Sequence, residues 1–76
     1  MVIDVRESWE YQGGHAPGSV NIPLGEIPGA LSRLRNENKT LIFVCASGSR
    51  SGQAASWVQA QGVPAVLNGG PWQNAA

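Results

Sequence analysis

The chain has 76 residues, of which 42% are hydrophobic and 13% are charged, and its five basic and five acidic residues give a formal net charge of zero. This length predicts one domain over residues 1–76, because a domain usually takes about 100–200 residues. The balanced charge excludes a general nucleic-acid binder and a polybasic membrane anchor.

The composition also limits the compartment and the chemistry. The only cysteine is Cys45, which excludes a disulfide scaffold, and one Cys with one His cannot build a structural zinc or iron–sulfur site. We therefore expect no metal. The sequence shows no signal peptide and no apolar run of about 20 residues, which favours a cytoplasmic protein that does not span a membrane.

The first half of the chain contains two strand patterns and two helical patterns. Val2–Val5 is apolar and β-branched and predicts a buried strand, while Glu7–Gln12 predicts a helical turn. The Gly- and Pro-rich segment that follows predicts a loop with a brief strand at Ser19–Asn21. Apolar residues recur at helical spacing across Glu26–Arg35, and a proline is tolerated in the first turn of that predicted helix.

The second half contains the clearest strand and the clearest helix. Thr40–Val44 is almost continuously apolar, which indicates burial on both faces of a parallel sheet. Arg50–Gln61 has a helical pattern, Val63–Leu67 predicts another strand, and Asn68–Pro71 predicts a turn. Strands that alternate with helices predict an α/β domain with mainly parallel pairing.

The candidate reactive group is Cys45, at the carboxyl end of the most apolar strand. In open α/β sheets this edge is where ligands bind. Small residues follow the cysteine and then a helix begins, so backbone N–H groups and the helix dipole are expected to favour the thiolate. Arg50 adds a permanent cation with a planar fork that suits an oxyanion.

The spacing separates two kinds of cysteine chemistry. Four residues lie between Cys45 and Arg50, whereas cysteine-dependent phosphatases use five. A shorter loop makes a tighter cradle, which suits a single sulfur atom better than a tetrahedral phosphate.

Three segments resemble signatures of the single-domain rhodaneses, which are thiosulfate sulfurtransferases. The three segments follow one another along the chain in the same order as in that family. The loop Cys45–Ser51 resembles their active-site loop, Asp4–Tyr11 resembles the signature D-V-R-x-x-x-E-[FY], and Gly14–Pro23 resembles G-H-I-x-G-A-x-N-I-P. Leu67–Gly70 resembles the turn after the last strand of the family. The resemblance covers nearly the whole chain.

The resemblance implies a small three-layer α/β domain with a mainly parallel sheet. Relatives usually begin with a further strand and helix, so we expect a domain that lacks these elements and has its last strand at a sheet edge. Many members carry Arg where this chain has Ala46. The loss of that charge is expected to weaken the attraction of anionic substrates.

The resemblance also implies a two-step transfer of sulfane sulfur without a metal or organic cofactor. The Cys45 thiolate takes a sulfur from thiosulfate or a persulfide donor, and a thiol or cyanide then accepts it; a sulfur-carrier protein is a further expected partner. Asp4 and Arg6 are expected to support the site structurally. The loop residues expected to bind the substrate are Ala46, Ser47, Gly48, Ser49 and Arg50.

Other interpretations stay open at this point. The same fold could serve as a non-catalytic persulfide carrier or an interaction module, and a phosphatase or arsenate reductase is less favoured by the spacing. Glu10 could pair with Arg6 or remain solvated. His15 lies in a Gly/Pro loop without a carboxylate nearby in sequence, so we expect a structural hydrogen bond rather than a catalytic base.

Overall fold

A computed structural model describes residues 1–76 as one four-stranded parallel sheet with its connecting helices. The strands lie in the order β2-β1-β3-β4, and every neighbouring pair is parallel. This confirms the predicted α/β class. The strand bounds are Val2–Asp4 for β1, Val20–Asn21 for β2, Leu41–Cys45 for β3 and Val66–Pro71 for β4.

The core forms around β3, as the apolar run predicted. Successive side chains of a strand point to opposite faces, so Leu41, Phe43 and Cys45 share one face and are fully buried there. They pack in one cluster with Ala54 and Val58 of the long helix. Burying this helix against β3 therefore fixes the position of the residue that ends the strand.

The helical segments follow the predicted order, with one correction. The α-helices are Ser8–Gln12 (α1), Leu31–Arg35 (α2) and Ser49–Ala60 (α3). The helix predicted over Glu26–Arg35 was wrong in its first half, where short 3₁₀ turns occupy Leu24–Glu26 and Pro28–Ala30. Proline and two glycines in this stretch disfavour a regular α-helix. None of the helices has the length and hydropathy needed to cross a bilayer.

The last strand begins and ends later than predicted. The prediction of a strand at Val63–Leu67 and a turn at Asn68–Pro71 was wrong, because β4 continues through the glycine pair to Pro71. A bulge permits this: Phe43 lies beside Asn68, but Val44 lies beside Gly70, so Gly69 is the extra residue. The predicted edge position of the last strand is confirmed.

Gly69 fits this bulge because it has no side chain. A Cβ at this position would lie 2.8 Å from Ile42 Cγ2 and 3.0 Å from Val44 Cγ1, both on β3. These distances are too short for carbon–carbon contacts. The close approach of β4 to β3 therefore depends on glycine at this one position.

We predict that Gly69→Ala destabilises the domain by about 1–3 kcal/mol, because the added methyl group overpacks the β3–β4 contact. Gly25→Ala is the matched control, since a Cβ there would meet nothing within 4 Å. That control should change stability between zero and a gain of about 1 kcal/mol. Urea unfolding midpoints measure both changes. An equal effect of the two substitutions would contradict the packing argument.

Candidate active site

Cys45 is the last residue of β3 and is fully buried. The exposed residues Ala46 and Ser47 follow it, and α3 begins after Gly48. Gly48 has φ of 101°, in the left-handed region that favours glycine, and a Cβ there would lie 3.3 Å from Gly70 Cα. The chain therefore reverses around the sulfur within three residues.

The loop and the first turn of α3 surround the Cys45 sulfur with hydrogen-bond groups. Gly48 N–H donates to Sγ at 3.0 Å and Ser51 N–H donates at 3.4 Å, while Ser51 Oγ lies 3.3 Å from Sγ. Burial of the thiol acts to raise its pKa. The hydrogen bond between Cys45 and the Ser51 side chain, together with the bonds from backbone N–H groups, outweighs burial and holds the pKa of Cys45 below its ordinary value.

Arg50, the expected anion-binding residue, forms a bidentate ion pair with Glu10 of α1. Its Nη1 lies 2.6 Å from Oε1, and its Nη2 lies 3.0 Å from Oε2. Hydrogen bonds from Arg50 and then from Glu7 N–H lower the pKa of Glu10 from 4.5 to about 2, and the carboxylate raises the pKa of Arg50. The guanidinium fork predicted for a substrate anion is thus occupied by a carboxylate of the protein.

Glu10 therefore has a different environment from the two that the sequence left open. It neither pairs with Arg6 nor remains solvated, because Arg50 takes both carboxylate oxygens. The two residues are 40 positions apart in sequence. The pair joins α1 to the first turn of α3 beside the Cys45 loop.

Asp4, the last residue of β1, forms a buried ion pair with Arg6. Arg6 Nε lies 3.0 Å from Asp4 Oδ1 and Nη2 lies 2.8 Å from Oδ2, while Arg6 N–H also donates to Oδ1. The remaining guanidinium donors reach the carbonyl oxygens of Glu10 and Gly14, and the group lies 4.9 Å from the ring centroid of Trp72. The charged groups of Asp4 and Arg6 are therefore bonded to other groups of the protein.

His15 and two tryptophans lie apart from the cysteine loop's hydrogen bonds. His15 Nδ1 is 2.8 Å from the Tyr11 carbonyl oxygen, and the two rings stack with their centroids 3.8 Å apart. Trp9 and Trp57 are 75% and 38% exposed. His15 thus has the structural hydrogen bond that its loop position suggested.

Ser51 and Asn68 complete the site, although no individual role is predicted for either from the sequence. Ser51 Oγ lies 2.7 Å from Asn68 Oδ1, and Asn68 Nδ2 donates to the Gly48 carbonyl oxygen at 3.2 Å. A signal for Ser51 existed, because it ends the loop motif that contains Cys45. No local signal points to Asn68, since its segment has the residues of a turn.

In this domain a parallel sheet ends one strand with a lone cysteine, and a short loop and a helix follow it. This arrangement defines an α/β domain with a cysteine site at the carboxyl edge of its sheet. Residues 1–72 match the family described as rhodanese-like domain, and the chain belongs to that family. A solved rhodanese with anions from Escherichia coli has a TM-score of 0.86 and 34% sequence identity, over 99% of this chain and 89% of that one. The structure thus confirms the predicted rhodanese fold.

Two of the relatives have names that refer to sulfur transfer. "Putative sulfur carrier protein YrkF" of Bacillus subtilis is 45% identical over 67 residues, which are 88% of this chain and 36% of that protein. Thiosulfate sulfurtransferase PspE of Escherichia coli is 36% identical over 69 residues, which are 90% of this chain and 66% of that protein. The chain thus spans about a third to two thirds of these relatives.

We predict that the Glu10–Arg50 pair makes stability depend on pH in the acid range. The pKa of Glu10 is depressed in the folded protein, so its contribution is present above about pH 4.5 and is lost as the pH falls through about 2. The difference in melting temperature between wild type and Glu10→Gln should therefore shrink from about pH 5 to pH 2.

Glu26→Gln is the control for this experiment, because Glu26 is exposed and takes part in no ion pair. Its difference from wild type should vary less over the same range. A Glu10→Gln difference that stays constant with pH would show that the pair does not carry the acid dependence.

Proposed function

We propose that this domain transfers sulfane sulfur through a persulfide on Cys45. The observation that carries the proposal is the set of hydrogen bonds on Cys45 Sγ, which stabilise the thiolate at the carboxyl edge of the sheet. A thiolate is the reactive form of cysteine, and it needs no separate base once its pKa is depressed. The named sulfur-transfer relatives support this chemistry.

The first half-reaction loads the cysteine. The Cys45 thiolate attacks the outer sulfur of thiosulfate, a new sulfur–sulfur bond forms, and the old one breaks. Its electron pair leaves with sulfite. The terminal persulfide sulfur then carries the negative charge, and the N–H groups of the Ala46–Arg50 loop are proposed to stabilise it.

The second half-reaction unloads the cysteine. An acceptor thiolate or cyanide attacks the terminal sulfur, the bond to Cys45 Sγ breaks, and the thiolate is regenerated. Residues 1–76 contain no second cysteine, so the proposed acceptor lies outside these residues. Two successive half-reactions predict ping-pong kinetics. The proposal needs no metal or organic cofactor.

A persulfide carrier is the second candidate, and one observation favours it. Glu10 holds the Arg50 guanidinium with both oxygens, and Ala46 offers no replacement charge. A small dianion such as thiosulfate therefore finds no unpaired cation in the loop. A persulfide delivered by a partner protein would depend less on that charge. We propose a sulfur-carrier protein as an alternative partner.

We predict that thiosulfate adds the mass of one sulfur atom to the wild-type protein but not to Cys45→Ser. Cyanide should then remove the added mass. Intact-mass spectrometry before and after each addition measures both steps. The test starts with a check that Cys45→Ser melts cooperatively like wild type.

Two outcomes would change the proposal. If a folded wild type gains no mass from thiosulfate but gains it from a small-molecule persulfide, the carrier function is favoured. If neither donor loads the protein, the sulfur-transfer proposal fails. Turnover of p-nitrophenyl phosphate above the Cys45→Ser background would favour the phosphatase alternative.

We predict that Ala46→Arg speeds loading by thiosulfate about two- to tenfold at low ionic strength, because a cation at the exposed loop attracts the dianion. The gain should shrink as salt screens the charge. Ala46→Gln lengthens the side chain without adding charge and is the matched control. An equal gain with Gln, or one that salt leaves unchanged, would contradict the electrostatic explanation.

A further inference from the structure

Asn68 connects the edge strand β4 to the hydrogen bonds around Cys45. It lies beside Phe43 in the sheet, directly before the bulge. Its Oδ1 accepts from Gly70 N–H at 3.0 Å and lies 2.7 Å from Ser51 Oγ. Its Nδ2 donates to the Gly48 carbonyl oxygen at 3.2 Å. The side chain thus contacts the loop, the helix and its own strand.

These partners fix which way the Asn68 amide faces. Gly70 N–H can only donate, and the Gly48 carbonyl can only accept. The opposite orientation would place an NH₂ group against an N–H group and an oxygen against an oxygen. The oxygen of the amide therefore faces Ser51, and the Ser51 hydroxyl must be the donor in that contact.

The Ser51 hydroxyl has one proton, and two groups compete for it. When it donates to Asn68 Oδ1, its lone pair faces Cys45 Sγ at 3.3 Å, and this arrangement suits a thiol that donates to Ser51. When Cys45 ionises, the hydroxyl stabilises the thiolate only if it turns away from Asn68. That turn leaves the two oxygens 2.7 Å apart without a proton between them.

We propose that Asn68 is a positioning residue that draws the Ser51 hydroxyl away from Cys45 and thereby favours the thiol over the thiolate. The proposal rests on the function proposed above, in which Cys45 is the nucleophile. Gly48 N–H and Ser51 N–H stabilise the thiolate, and Asn68 limits the part that the Ser51 hydroxyl can add. Removal of a polar residue beside the site should therefore make the cysteine easier to ionise.

The charged groups around Cys45 would not cause the expected change in its ionisation, because each is paired with another residue. Arg50 of α3 is paired with Glu10 of α1, and Arg6 is paired with Asp4 after β1. The segment Val66–Pro71 of β4 and the 3₁₀ turn Trp72–Ala75 contain no charged residue. Neutral substitutions at positions 51 and 68 leave all four charges in place.

A double-mutant cycle on the reduced protein tests the proposal. Wild type, Asn68→Ala, Ser51→Ala and the double variant are titrated with pH while the ultraviolet absorbance of the thiolate is measured. Cys45→Ser supplies the background. In the Asn68→Ala background, Ser51→Ala should raise the pKa of Cys45, because the hydroxyl is then free to donate to the thiolate and its loss removes that donor. Asn68→Ala also removes the hydrogen bond to the Gly48 carbonyl oxygen. That loss occurs both with Ser51 and with Ser51→Ala, so it cancels in the cycle.

The expected result is a coupling of one sign. Asn68→Ala should increase the thiolate-to-thiol ratio about three- to tenfold more when Ser51 is present than when it is Ala, which is the range for one ordinary hydrogen bond. Zero coupling, or coupling of the opposite sign, would overturn the proposal.

This experiment uses no sulfur donor, so its result is separate from that of the loading experiment. A protein that fails to load with sulfur can still show the coupling. That result would contradict the proposed function and support the proposed role of Asn68. A protein that loads with sulfur but shows no coupling would support the proposed function and contradict the proposed role of Asn68.

Discussion

The buried ion pair between Asp4 and Arg6 is the contact on which the placement of the site depends. Burial of two charges is costly unless their remaining hydrogen-bond groups are satisfied. Here the guanidinium meets both carboxylate oxygens and then donates to the carbonyl oxygens of Glu10 and Gly14. The pair therefore fixes the end of α1 and the following loop against the end of β1.

The Asp4–Arg6 ion pair also affects the position of the Glu10 carboxylate. Arg6 donates to the Glu10 carbonyl oxygen, and the Glu10 side chain pairs with Arg50 at the start of α3. The contacts thus run from β1 through α1 to α3, which carries the loop that encloses Cys45. This arrangement has an electrostatic cost, because the Arg50 guanidinium is already paired with a carboxylate of the protein. Stabilisation of a sulfur anion at this site then depends on backbone N–H groups rather than on an unpaired cation.

The sequence predicts the elements whose signals are local and misses the contacts that join distant segments. The apolar run of β3 and the helical pattern of α3 place Cys45 correctly at the carboxyl edge, because one strand and one helix determine that position. The ion pair of Arg50 joins residues 40 positions apart, and the bond between Ser51 and Asn68 joins residues 17 apart. No local periodicity encodes either contact.

The extent of β4 shows why local turn signals can fail. A pair of glycines after an asparagine usually indicates a turn, because glycine adopts backbone conformations that other residues avoid. In this chain Gly69 is needed for another reason, the close approach of β4 to Ile42 and Val44. The same bulge leaves Asn68 beside Phe43 and brings Gly70 N–H onto the Asn68 amide. One backbone irregularity at the sheet edge therefore both permits the strand pairing and orients the amide that faces Ser51. The chemistry of a cysteine on β3 thus depends on the conformation of a strand that contains no reactive group.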